Sequence, residues 1–243
     1  MNVPLAASGG SAYWFLTRST GAVALLLLTI AVVLGVLDVR RTSTPRWPRF
    51  VLDSLHRNVS LLAMCFLALH VLTAVLDSFA PISLLDAFLP FAGSYRPFWL
   101  GLGAVALDLL LAVTLTSLMR RRFGYSSWRA VHWLTYASWP IALLHGFGTG
   151  SDVKAAWLLV ISIACLLAVL LAILARVTSG WPGGHRRLRR GAALGGAGAF
   201  SLFLALWLPG GPLGAEWARR SGTPQKLLKH GSPVVGAQKA RHG

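Results

Sequence analysis

Four of the seven histidines stand inside long apolar segments, His56 and His70 in one, His132 and His145 in another. An ionisable side chain is costly in such surroundings and usually faces the interior of a helix bundle for a purpose. A lone buried histidine more often ties two helices together by a hydrogen bond than ligates a metal. Two pairs at nearly matching spacing form a different pattern. His56 and His70 are fourteen residues apart, which on a helix separates them by about 21 Å along the axis and leaves them within about 40° of one face. The second segment supplies a partner at each level. Imidazole ligates haem iron, and two histidines at each of two depths are what two stacked haems require, one near each membrane face. A set used only for packing, or a single haem, is the alternative. His132 and His145 are thirteen apart, and an ideal helix puts them about 140° out of phase. Pro140 lies between them, and a local unwinding there is expected to bring both rings to one side.

Long apolar helices must position these residues. The chain has 243 residues, 55% of them hydrophobic and 12% charged, too little polar surface for a soluble domain of this length. Runs of about 20 apolar residues span a bilayer. The fold expected is therefore all-α, a polytopic membrane bundle of six transmembrane helices over about 12–37, 54–76, 98–119, 128–147, 155–177 and 192–208. The organisation that follows is a short extracytoplasmic N-terminus (1–11), a five-helix core (12–177), an Arg-rich loop with a sixth helix (178–208) and a disordered basic tail (209–243). The first 17 residues carry no Lys or Arg, which reads as a retained helix rather than a cleaved leader. In the loop 77–97, Ser83-x-x-Asp86 before Ala87 and Phe88 predicts one short capped helix at the interface.

The net charge of +16 does not indicate nucleic acid, because the arginines cluster in short loops where membrane orientation needs them. Arg40, Arg41, Arg46, Arg49, Arg120, Arg121, Arg122, Arg129, Arg176, Arg186, Arg187, Arg189 and Arg190 fall on one side, against Arg96 and Lys154 in the alternate loops. The positive-inside rule puts the Arg-rich loops in the cytoplasm and the N-terminus outside; if the sixth helix crosses, the C-terminus is outside as well. Cys65 and Cys165 lie in apolar runs and are not expected to pair. No C-x-x-C-H occurs, so any haem is held without covalent attachment.

The segments His56-Arg-Asn-x-Ser, Leu69-His70, Val131-His132-Trp133 and Leu144-His145-Gly146, with His-x13-His followed by His-x12-His, resemble the ferric reductase-like transmembrane domain. That group includes ferric reductases, NADPH oxidases and the membrane haem subunit of bacterial methionine sulfoxide reductase systems. The resemblance covers roughly residues 14–176. It implies two b-type haems, the inner held by His56 and His132 and the outer by His70 and His145, and electron transfer across the cell membrane.

Haem propionates need cationic or hydrogen-bonding partners. Arg57 and Arg129 beside the inner level, and Arg18 and Arg96 toward the outer, are the candidates, with headgroup anchoring the competing reading for each. Asp108, near the middle of the third span, reads as a helix-packing carboxyl bonded to groups such as Thr114 or Ser138, or as a proton carrier. Trp133, Trp139, Phe66 and Phe147 lie within a turn or two of the histidines, as core or as packing for the macrocycles.

Family members that work alone usually carry a cytoplasmic flavin and nicotinamide module. This chain shows no Gly-x-Gly-x-x-Gly before a helix and no soluble α/β region. The expectation is an oxidoreductase membrane component, fed by a separate flavoprotein reductase or by membrane quinol. Its acceptor is ferric iron, oxygen or an extracytoplasmic flavin or redox protein. The rivals are a proton- or metal-coupled transporter, disfavoured by the lack of an internal repeat, and a non-catalytic scaffold. A visible spectrum separates all three.

Overall fold

The computed structural model describes residues 12–39, 49–150, 153–178 and 186–230. Every regular element among them is helical. The long helices are α1 (Ala12–Val39), α2 (Arg49–Leu76), α4 (Pro97–Leu118), α8 (Ala156–Thr178) and α9 (Arg186–Gly210). All five are long and apolar enough to cross a membrane. The protein is a multi-pass membrane protein, and its surface shows it. Leu171 of α8 and Leu206 of α9 are 64% and 73% exposed, a cost in water and none in lipid.

The expected fourth span differs. It is divided into α6 (Tyr125–His132) and α7 (Thr135–Thr149), preceded by the single turn α5 (Arg120–Phe123). The division falls at Trp133 and Leu134, not at Pro140, which lies inside α7 without interrupting it. Here the amides of Leu134, Tyr136 and Ala137 donate three residues back, to Val131, Trp133 and Leu134. Such a turn advances about 120° per residue instead of 100°. The chain is tightened after His132 rather than unwound at the proline, and that rotation acts on the phase mismatch between His132 and His145.

The loop after α2 carries the expected capped helix, α3 (Leu84–Phe88). Ser83 Oγ accepts from the Asp86 amide at 3.4 Å, and Asp86 Oδ2 accepts from the Ser83 amide at 2.8 Å. That reciprocal pair satisfies two helix-end donors. Pro97 opens α4, where its missing N–H costs nothing.

In the bundle α1 packs on α2, α7 and α8, while α4 packs on α3, α6 and α7, and α9 lies against α8. Leu28, Val32, Leu110, Trp139, Leu143, Phe147, Cys165 and Val169 form the buried core. Two indoles pin the divided span: Trp139 Nε1 donates to Thr29 Oγ1 at 2.9 Å and Trp128 Nε1 to Ser117 Oγ at 3.1 Å. Cys65 and Cys165 are free thiols.

The tail expected to be disordered from residue 209 is ordered through residue 230, with α10 (Trp217–Arg220) and α11 (Gln225–His230). Aromatic contacts hold it: Trp217 packs against Trp99 and Trp207, with ring centres 5.3 and 5.8 Å away. Residues 231–243 lie outside the described residues.

Candidate functional site: two histidine pairs across one cavity

α2 and the α6–α7 segment face each other across a cavity of about 340 Å³ that all four histidines line. At one level the rings of His56 and His132 have centres 6.3 Å apart, and at the other His70 and His145 are again 6.3 Å apart. The rings therefore approach one another as His56 with His132 and His70 with His145.

What orients the rings lies on the neighbouring helices. His56 Nδ1 is 2.9 Å from Ala31 O, His70 Nδ1 2.7 Å from Thr17 O, and His145 Nδ1 2.9 Å from Trp99 O. Thr149 Oγ1 is also 3.2 Å from the His145 nitrogen. A helix carbonyl can only accept, so each of these imidazoles donates from Nδ1 and keeps the Nε2 lone pair for a ligand. Four residues beyond each accepting carbonyl stands a glycine: Gly35 after Ala31, Gly21 after Thr17, Gly103 after Trp99. A Cβ would meet the His56 ring at 3.4 Å from Gly35, the His70 ring at 2.9 Å from Gly21 and the His145 ring at 2.5 Å from Gly103. The missing side chain is what lets the imidazole reach a carbonyl already used by the helix. Gly21 and Gly35 are fourteen apart, as His56 and His70 are. That matched spacing on antiparallel neighbours is the signal from which the cradles could have been read. His132 has no such arrangement: its Nδ1 is buried without a hydrogen-bond partner, and its ring stacks on Trp128, centres 5.0 Å apart.

The four arginine candidates separate. Arg18 lines the cavity, with its guanidinium carbon 3.4 Å above the centre of the Trp14 ring. Arg57 and Arg129 are exposed and do not line it. Arg96, 3% exposed, serves the end of α7 instead. Its Nη1 donates to the carbonyls of Gly148, Thr149 and Gly150 at 3.0–3.2 Å, and its Nε to Thr223 Oγ1 at 2.9 Å. A cation at a helix C-terminus satisfies orphan carbonyls and complements the dipole. Burial lowers the pKa of Arg96 from the usual arginine value, and neighbouring Tyr95 opposes that.

Asp108 is half-buried and does not line the cavity. The Ser138 hydroxyl donates to Thr135 O at 3.0 Å. Of the four aromatic candidates, Phe147 lines the cavity, Trp139 is the buried link to Thr29, Trp133 is exposed, and Phe66 is half-buried away from the lining. Sequence reasoning passed over Trp14, Trp99 and Trp128, because aromatic residues are common in membrane helices and nothing local marks these three.

Among the described residues no three or more His, Cys, Asp or Glu side chains gather as a metal site. The donors come in twos. The description of the ferric reductase like transmembrane component matches residues 20–143, a stretch that includes His56, His70 and His132 and ends two residues before His145. The heme-binding subunit MsrQ of protein-methionine-sulfoxide reductase from Ralstonia nicotianae is 32% identical over 192 residues, 78% of this chain and 80% of that protein. No solved structure matches the chain.

Proposed function

The chain belongs to the ferric reductase-like transmembrane family, and from that premise we propose that it moves electrons across the membrane through two bis-histidine b-type haems. The inner haem is held by His56 and His132 and the outer by His70 and His145. The observation that carries this reading is the repeated 6.3 Å between paired ring centres. Two metal–imidazole bonds of about 2.0 Å, plus about 1.1 Å from each ring nitrogen to its ring centre, sum to about 6.2 Å. Edge-to-face rings packed on each other also sit about 4.5–7 Å apart, so the support comes from the same separation recurring at both levels and matching the span of a metal between two imidazoles.

The donor set fits haem in a second way. Nδ1–H···O=C bonds fix the tautomer and raise the basicity of the ligating nitrogen. When bound, each haem supplies an iron that takes up and returns one electron. The chain's own residues do the rest. Leu28 and Leu143 line the cavity between the levels with apolar side chains, and Arg18, which also lines it, is the cation that would meet an outer propionate.

The Arg-rich loops face the cytoplasm in this reading. The relative's name describes a haem-binding subunit of a reductase, and the same division of labour is proposed here. A separate cytoplasmic flavoprotein reductase or membrane quinol is the donor. An extracytoplasmic ferric ion, oxygen or redox protein is the acceptor.

The test is haem content and spin state. Purified protein should hold about two low-spin b-type haems. His56→Ala or His132→Ala should abolish one low-spin signal, and His70→Ala or His145→Ala the other. A variant lacking all four histidines that keeps its full haem content would overturn the assignment.

A further inference from the structure

We propose that the inner level is a binding site for a small neutral diatomic ligand, which takes the place of His132 on the reduced iron. This rests on the two-haem reading above.

The four imidazoles are not held alike. His56, His70 and His145 each donate to a helix carbonyl through a glycine cradle. His132 Nδ1 is buried and makes no hydrogen bond. Outer-sphere bonds of this kind typically carry 10- to 100-fold in metal affinity when removed, so His132 starts as the weakest of the four ligands. Its backbone is the least constrained as well. The other three sit within helices of 28 or 15 residues, while His132 ends the eight-residue α6 against the division at Trp133 and Leu134. The stacked face of Trp128 limits how the ring tilts, but an indole face does not replace a carbonyl acceptor in fixing the imidazole.

Within the inner pair, His132 therefore gives way rather than His56. With a haem bound at this level, the incoming ligand would replace His132 Nε2, which would leave as neutral imidazole with no electron transferred, while His56, held by Ala31 O, would keep its bond. The outer pair, anchored on both sides, stays closed.

Carbon monoxide is the probe, read by difference spectroscopy on the dithionite-reduced, detergent-purified full chain. About half of the haem in the unaltered protein should react, the fraction expected when one of two irons opens. The inner-only variant His70→Ala/His145→Ala should still react, and the outer-only variant His56→Ala/His132→Ala should not. Gly103→Ala supplies the converse, since its Cβ would press on the His145 ring and push it off Trp99 O. The reactive fraction should then rise from about half toward all the haem retained. Protein with two low-spin haems and no carbon monoxide uptake overturns this inference alone, as does uptake confined to the outer-only variant. Protein that binds no haem overturns it together with the reading beneath it.

Discussion

The imidazole of His70 occupies the space that a side chain on Gly21 would fill, a Cβ there lying 2.9 Å from both Cε1 and Nδ1. The ring is thereby close enough to donate to Thr17 O at 2.7 Å. One residue of α1 thus decides where a residue of α2 points, although neither bonds the other. The same relation holds between Gly35 and His56 and, from α4, between Gly103 and His145.

Gly21→Val should therefore act like the loss of a ligand. Overfilling a packed site typically costs about 1–3 kcal/mol, and the flexible side to yield is the imidazole rather than the helix backbone. The low-spin haem signal should fall by about half, with the inner level unchanged and the protein still folded. Absorbance and paramagnetic resonance spectra of the variant, set beside His70→Ala, decide it. A full low-spin complement in Gly21→Val would show that the cradle does not matter.

Arg96 holds the last turn of α7 and the C-terminal segment together, through three carbonyls on one side and Thr223 and Gly222 on the other. Arg96→Met takes the donor from the Thr149 and Gly150 carbonyls, while Gly148 O keeps Trp217 Nε1, and should destabilise the protein by about 1–3 kcal/mol. Arg96→Lys should recover part of this, since an ammonium cannot reproduce the planar fork. Limited proteolysis should cut first within residues 211–224. Unchanged melting and protease resistance in both variants would remove Arg96 from the role given to it.

Orientation rests on thirteen arginines against two cations in the competing loops. In a background without Cys65 and Cys165, a cysteine at Ser43 should be shielded from impermeant thiol reagents in intact cells. One at Ser94, an exposed position, should react. The reverse pattern would exchange the inner and outer labels of both haems.

The histidine pairs were legible in the sequence because an ionisable group inside an apolar helix is conspicuous and fourteen residues nearly complete four turns. The cradles were not, since glycine is frequent in membrane helices and only the matching of Gly21 and Gly35 to His56 and His70 marks these. Pro140 drew attention as the obvious place for a break, yet the helix changes pitch at Trp133 and Leu134, where no residue type announces it. Arg96 was read as a partner for a bound anion because its charge was visible and its acceptors were not. The carbonyls of Gly148, Thr149 and Gly150 are brought to it only by the fold. The order of residues 211–230 escaped for a related reason: composition shows glycine, proline and charge, while Trp217 needs Trp99 and Trp207 to have anything to pack on.

Passing electrons between two haems asks only that the cofactors be held close and dry, which four histidines in a bundle can do. Hydride transfer asks for more: a flavin set against a nicotinamide, and a glycine-rich turn at a helix N-terminus to take the pyrophosphate. The arginine-bearing stretch 37–53, mostly Arg, Thr, Ser and Pro, contains no glycine from which to build such a turn. This chain, reduced chemically, should therefore pass electrons to an acceptor while failing to oxidise NADPH. Adding a suitable reductase or a quinol should restore turnover. Arginine clusters steer an acidic protein toward the membrane face by long-range attraction, and salt screens that attraction within about 8 Å at physiological ionic strength. Reduction by a protein donor should then slow as salt rises, whereas reduction by quinol should not. Stopped-flow haem reduction, with NADPH alone, with NADPH and reductase, and with quinol, separates these cases. Rapid reduction by NADPH in the pure, flavin-free protein would show that this chain is more than the membrane segment of a longer electron path.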